Sequence, residues 1–319
     1  MASNVSADPV PDFQVIAEGT RFPEGPVAMP DGSLLYVEVR GGTLSRVTSN
    51  GSIEEVAQLC PGGHGGANGA AIGPDGAAYV CNNGGFPWSE VNDMLLPVDL
   101  ATGSTIPPGY TGGWINRVDL ATGESRVLYR EYDGVRLNGP NDIVFDTAGG
   151  FWFTDMGKAD HRSWDKGGVY YAQPDGSSVT RQVWPLLTPN GVGLSPDGQT
   201  LYVAETNTGR LWAFDLDGPG RVRRPAGLGH GGRLLAQTTA HLDSLAVDSA
   251  GNVVVAALAN GLCVVSPDGS SVRFIAMPDS FTTNVCFGGP ELRTAYVTQS
   301  DSGRIIAFDW PRPGLPLAF

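Results

Sequence analysis

The chain has 319 residues, with 45 glycines, 24 prolines, 17% charged residues and a formal net charge of −13. Such an acidic balance argues against nucleic acid as a partner, because binding it needs a basic patch, and no run of about 18 apolar residues is present to span a membrane. Abundant glycine and proline with few charges fit many short strands and tight turns better than long surface helices.

The N-terminal MASNVSADPVPDF has neither a basic start nor an apolar run, so no signal peptide is expected. The run DFQVIAEG follows and reads as one strand without a unit of its own. From Glu24 onward the chain repeats. Six segments align: EGPVAMPDGSLLYVEV from Glu24, NGAAIGPDGAAYVCNN from Asn68, NDIVFDTAGGFWFTDM from Asn141, NGVGLSPDGQTLYVAE from Asn190, DSLAVDSAGNVVVAAL from Asp243 and NVCFGGPELRTAYVTQ from Asn284. Each reads as strand, turn, strand, with Gly, Asp and Asn at the turns and Val, Tyr, Phe and Trp in the second strand.

A third strand follows each hairpin (GGTLSRV, GGWINRV, GGVYYAQ, TGRLWAF, NGLCVVS, SGRIIAF), and most units add a fourth, such as IEEVAQL or VRFIAM. The hydrophobic period near two excludes a helical repeat. Six units of four strands predict an all-β, six-bladed propeller occupying residues 1–319 as one domain. The last unit lacks a fourth strand, so DFQVIAEG is expected to complete it and close the ring, which leaves no open sheet edges between blades.

Repeat starts lie 41 to 53 residues apart, except for 73 between Asn68 and Asn141. The excess is an insertion over about 84–113, carrying Phe86, Trp88, Met94, Leu95, Leu96 and Tyr110. Long loops of this kind serve as lids or binding loops, and this one is expected over one face of the ring. The cysteines, Cys60, Cys81, Cys263 and Cys286, include no CxxC pair. Buried free thiols are expected, in a reduced, cytoplasmic setting.

The first residue of every repeat (Glu24, Asn68, Asn141, Asn190, Asp243, Asn284) carries a side-chain oxygen. Equivalent repeat positions occupy equivalent places around a propeller axis. If they begin the innermost strands, six oxygen donors converge on the central channel and suit a hard divalent cation. Ca2+ comes first, then Mg2+ or Mn2+, with Zn2+ last because nitrogen and sulfur donors are lacking. The alternative is that each merely caps a turn at a strand start.

The runs EGPVAMPDGSLLYV, GPNDIVFDTAGGFWFTD, PNGVGLSPDGQTLYVAET, LDSLAVDSAGNVVVA and TTNVCFGGPELRTAYVT resemble the family of senescence marker protein (regucalcin), gluconolactonases and related lactonases, over about residues 13 to 309. The resemblance implies a six-bladed propeller with a metal in the central tunnel, ligated at Glu24, Asn141, Asn190 and Asp243. It leaves Asn68 and Asn284 as supporting or water-mediated partners. It also implies metal-dependent hydrolysis of a small-molecule lactone or related ester. A phosphotriester hydrolase on the same cation and a non-catalytic calcium-binding propeller are the alternatives, since the fold hosts all of these.

Asp243 and Asn141 are the expected catalytic residues, with Asp243 as base, as nucleophile or as metal ligand only. Asp142 is the alternative base, or a turn residue. His64, Trp88 and Phe86 are weaker candidates for contacting substrate, and the two aromatics point to a substrate less polar than a sugar lactone. His241, two residues before Asp243 and so on the same face of a strand, is expected to line the tunnel. Asp155, Lys158 and Arg162 either enter the pocket or form an ordinary surface loop. Trp152 is expected in the core. No GxSxG elbow supports a serine triad, and no GxxxxGK[ST] supports phosphate binding.

Overall fold

A computed structural model of the chain describes residues 7–60, 63, 65–92, 94–224, 226, 227 and 229–319. Six sheets of four antiparallel strands form the blades of a propeller. The first strand of each sheet lies innermost: Pro23–Ala28, Ala67–Ile72, Pro140–Phe145, Pro189–Leu194, Leu245–Val247 and Thr282–Gly288. Each packs against the first strand of the next sheet, and the sixth packs against the first.

Gln14–Glu18 is the outermost strand of the sixth blade, pairing antiparallel with Arg304–Asp309. The ring is therefore closed by the N-terminal strand. A two-residue strand, Ala7–Asp8, also adds in parallel to the outer edge of the fifth blade, beside Val272–Ile275. Among the described residues no helix is long and apolar enough to cross a membrane.

Six apolar clusters match the six blade interfaces. Val253 and Val255 pack with Tyr202, Ala204 and Leu211 of blade 4, while Val254 and Ala256 of the same strand pack with Val285 and Val297 of blade 6. Alternate side chains of a strand leave opposite faces, and both faces of a blade are covered. This is why NVVVAAL reads as one continuous apolar run. Phe145, Phe151 and Phe153 meet Tyr79 and Cys81 between blades 2 and 3. Trp152, on the opposite face of that strand, is fully buried against Val192 and Val203 of blade 4. All four cysteines are buried and free.

The innermost strands carry the local feature that shapes the centre. In five of them the pairing with the second strand shifts register at the polar first residue: between Glu24 and Val27, Ala67 and Ala70, Pro140 and Ile143, Pro189 and Val192, and Thr282 and Asn284. A bulge bends a strand and re-aims its side chains. Glycine then lets neighbouring inner strands approach. A Cβ on Gly25, whose φ is +50°, would lie 2.5 Å from the Asn68 carbonyl oxygen, and one on Gly191 would lie 2.7 Å from that of Asp243.

Candidate active site at the centre of the ring

Glu24, Asn68, Asn141, Asn190 and Asp243, from five successive blades, line one cavity of about 340 Å³. Glu24, Asn141 and Asn190 are almost fully buried, and Asp243 is partly exposed to the cavity. Glu24 Oε2 accepts bonds from Gly25 N (2.8 Å) and Asn284 Nδ2 (2.7 Å). Asn141 Nδ2 contacts Met156 Sδ at 3.3 Å, and Asn190 Nδ2 donates to Thr206 Oγ1 at 3.1 Å. With these nitrogens engaged by the protein, the Asn141 amide oxygen is left to ligate, and that of Asn190 keeps a lone pair beside a long bond from Ser244 Oγ (3.4 Å).

Electrostatics give an independent test of the donor set. Burial raises the carboxyl of Glu24 above its ordinary range. Asp243 is raised well above its own, first by burial and then by the charges of Glu24 and Asp142. Asp142 is pushed up to about 8, by burial and by Glu24. Buried acids that repel one another are costly unless a cation joins them. Two carboxylates and two amide oxygens therefore fit a hard divalent cation by charge and chemistry. Among the described residues no group of three or more His, Cys, Asp or Glu side chains could hold a metal by itself, so a ligand set here must include amides.

The structure separates residues that the sequence grouped. Asn284 does not line this cavity; it stands behind Glu24 and holds it. Asp142 is a correction to its reading as a base or substrate contact. It points away from Asn141, as strand alternation requires, and lines a second cavity on the opposite face of the ring. Its oxygens accept the backbone N–H groups of Ile143 (3.0 Å) and Val192 (3.1 Å), tying blade 3 to blade 4. His241 is exposed and outside the cavity lining, because the chain at Asp243 has not yet entered its strand. Arg162 is exposed at the surface. His64 lies outside the described residues.

Phe86, Pro97, Val98, Gly103 and Thr105 of the insertion form one wall, facing Met156, Lys158, Ala159 and Trp164. Thr105 and Ala159 join the two segments: Thr105 N donates to Ala159 O (2.9 Å) and Ala159 N to Thr105 Oγ1 (2.8 Å). Lys158 Nζ donates to Gly85 O at 2.6 Å, and Asp155 sits behind it, accepting the N–H groups of Asn138, Gly139 and Gly157. Trp88 supports the wall indirectly, its ring 5.2 Å from Phe22 and 6.1 Å from Phe86.

Phe22, Thr188, Leu258, Phe281 and Thr283 line the cavity without having been foreseen. Phe22 and Thr188 each sit two residues before a polar first residue, and both adopt positive φ (63° and 50°). For non-glycine residues that backbone is uncommon and gathers at functional sites. Their shared offset within the repeat was the available signal.

The family described as the SMP-30/gluconolactonase/LRE-like region matches residues 22–301. A gluconolactonase of Zymomonas mobilis is 27% identical over 300 residues, covering 86% of this chain and 76% of that protein. The lactonase drp35 of Staphylococcus saprophyticus is 31% identical over 276 residues, covering 84% and 73%. The crystal structure of regucalcin from Agrobacterium tumefaciens, a calcium-binding protein, superposes with a TM-score of 0.71 at 18% identity, covering 98% of this chain and all of that one.

Proposed function

The chain belongs to the SMP-30/gluconolactonase/LRE-like family, and we propose that it is a metal-dependent lactonase or esterase whose active site is the cavity at the centre of the ring. The observation that carries this reading is convergence: side-chain oxygens from five blades meet at one cavity. Glu24, Asn141, Asn190 and Asp243 would hold the cation, and an oxygen-only set suits Ca2+ before Mg2+ or Mn2+. Relatives named gluconolactonase and lactonase support a lactone as the substrate class.

When bound, the cation supplies a Lewis acid that polarises the substrate carbonyl and offsets charge developing on its oxygen. The protein's own groups do the rest. Asp243 is the carboxylate placed to accept a proton from the attacking water. Asn68 is placed to orient the substrate through its amide, and Asn284 keeps Glu24 in position. Phe22, Phe86 and Phe281 make an apolar wall that keeps bulk water out and favours a lactone with an apolar substituent. The insertion over 84–113 acts as the lid of the site. We read the 319 residues as one domain working in a reducing compartment, where its free thiols stay free.

Hydrolysis of a panel of lactones and aryl esters, with and without chelator, tests this. Turnover should disappear on chelation and return with Ca2+. Chelator-insensitive turnover removes the cation from the reading, and no turnover of any ester makes the chain a binding propeller. Glu24→Ala and Asp243→Ala should each lower kcat/KM by more than about 100-fold with the circular dichroism spectrum unchanged. Wild-type rates in either variant would refute its place in the site.

A further inference from the structure

Lys158 is the one basic side chain among the described residues that line the cavity. It lies between the second and third strands of blade 3 and is 6% exposed. Its Nζ sits 4.0 Å from the centroid of the Phe86 ring and 5.4 Å from that of Tyr110. An ammonium has three hydrogens to donate, and the bond to Gly85 O at 2.6 Å uses one, on a neutral carbonyl. Two residues earlier in the chain, Met156 carries the sulfur that holds Asn141. Lys158, Met156 and Phe86 all line the cavity, so the ammonium over the Phe86 ring stands at the cavity wall.

The charged and titratable groups around it are accounted for. Asp155 and Asp165 face Lys158 from blade 3 and from its own loop. Asp155 is committed to backbone N–H groups, and Asp165 Oδ2 accepts from Asn138 Nδ2 (2.7 Å) and from the N–H of Lys158 (3.1 Å). Tyr110, from the insertion, is bonded through its hydroxyl to Asn138 O. Glu24 and Asp243 stand at the same cavity. Burial brings the ammonium down to about 7, with Asp155 and Asp165 opposing part of that fall. A lysine in this range gives up its proton near neutrality, as a general acid must.

We propose that Lys158 is the general acid of the hydrolysis, protonating the leaving oxygen as the acyl C–O bond breaks. This rests on the lactonase reading above. Water adds its oxygen to the acyl carbon and its proton passes to a cavity carboxylate. The C–O bond then breaks with its electron pair on the leaving oxygen. Lys158 gives that oxygen a proton, yielding the hydroxy acid and a neutral amine. The proton held by the carboxylate returns to the amine, and the product acid ionises to solvent. Alkyl alkoxides leave poorly without a proton, whereas a nitrophenolate leaves unaided, so the need for Lys158 follows the leaving group.

The experiment compares wild type, Lys158→Met and Lys158→Arg on an unactivated alkyl lactone, δ-valerolactone, and on an activated ester, 4-nitrophenyl acetate, reading kcat and KM separately. Lys158→Met should lower kcat on the lactone by about 10² to 10⁴-fold and on the activated ester by less than about tenfold. Arginine keeps the charge but does not release a proton in this range, so Lys158→Arg should not restore the lactone rate. In the wild type, the lactone rate should fall as pH rises through about 7, and the ester rate should not. That pH comparison stands even if the variants fail to fold. Equal losses on both substrates, rescue by arginine, or identical alkaline limbs would overturn the inference and leave Lys158 a tie between insertion and blade. A wild type inactive on both substrates and on the whole lactone and ester panel would sink the lactonase reading itself.

Discussion

Between the inner strands, the charge of Glu24 raises the proton affinity of Asp142 and of Asp243 beyond what burial alone does, and Asp142 adds to the rise at Asp243. That repulsion makes the metal proposal testable without any substrate. With the chelator present, Asp243→Asn should melt no lower than wild type, because one repelling charge has gone. With Ca2+ added, wild type should gain about 2.7 kcal/mol at a hundred times Kd, a shift of several degrees, and the variant should gain little. A thermal melt with and without Ca2+ reads both, and equal gains in the two proteins would remove Asp243 from the ligand set. Asn284→Ala tests the supporting bond to Glu24 Oε2. Losing such an outer partner costs roughly 10 to 100-fold in metal affinity or activity, so kcat/KM should drop by that factor with the fold intact.

The polar first residues were legible because the repeat makes them equivalent, and six oxygen-bearing side chains at one position is a pattern that turn chemistry does not require. Asp142 was left open as an alternative base or a turn residue because it sits beside Asn141 in PND, and alternation along a strand sends neighbours to opposite faces. Phe22 shares its offset in the repeat with Thr188, but Lys158 and Phe281 lie in loops where no period relates one blade to the next. Their role comes from where the loops pack, which depends on contacts distant in the chain.

The insertion was readable at the level of elements as extra length, and its side of the ring was set by its place after an inner hairpin. What the sequence did not indicate was its docking partner. Thr105 and Ala159 exchange two bonds, and Lys158 reaches Gly85. The insertion is therefore fastened to the loop that follows the second strand of blade 3. Thr105→Val keeps the shape and removes the oxygen that accepts the Ala159 N–H. Leaving that donor unsatisfied should cost about 1–3 kcal/mol locally. The wall then loosens where Phe86 and Val98 stand, so KM for a bulky lactone should rise several-fold while kcat on a small lactone changes less. Steady-state kinetics on the two substrates decide it, and unchanged KM for both would show that the insertion does not shape the pocket.

For the whole molecule, the proposed metal site depends on closure, since its candidate ligands from blades 1 and 5 meet only if blade 6 spans the gap between them. Blade 6 is assembled from both ends of the chain: Gln14–Glu18 pairs with Arg304–Asp309, and Ala17 packs with Ile305 of its own blade and Tyr36 of blade 1. Two truncations separate closure from mere loss of chain. Removing residues 1–12 deletes the short strand Ala7–Asp8 at the outer edge of blade 5 and leaves Gln14–Glu18 in place. It should lower Tm by only a few degrees and keep activity. Removing residues 1–18 strips the outer strand from blade 6, exposing a flat apolar edge of the kind that drives strand-to-strand aggregation. It also uncovers one side of the cluster at the blade 6–blade 1 seam. The longer truncation should therefore aggregate or melt far lower, and any soluble fraction should respond weakly to Ca2+, because Glu24 and Asp243 are no longer held across a closed ring. If size-exclusion chromatography and melting show the two truncated proteins behaving alike, the first and sixth blades are joined by their inner strands alone, and the N-terminal strand is an ornament on the ring.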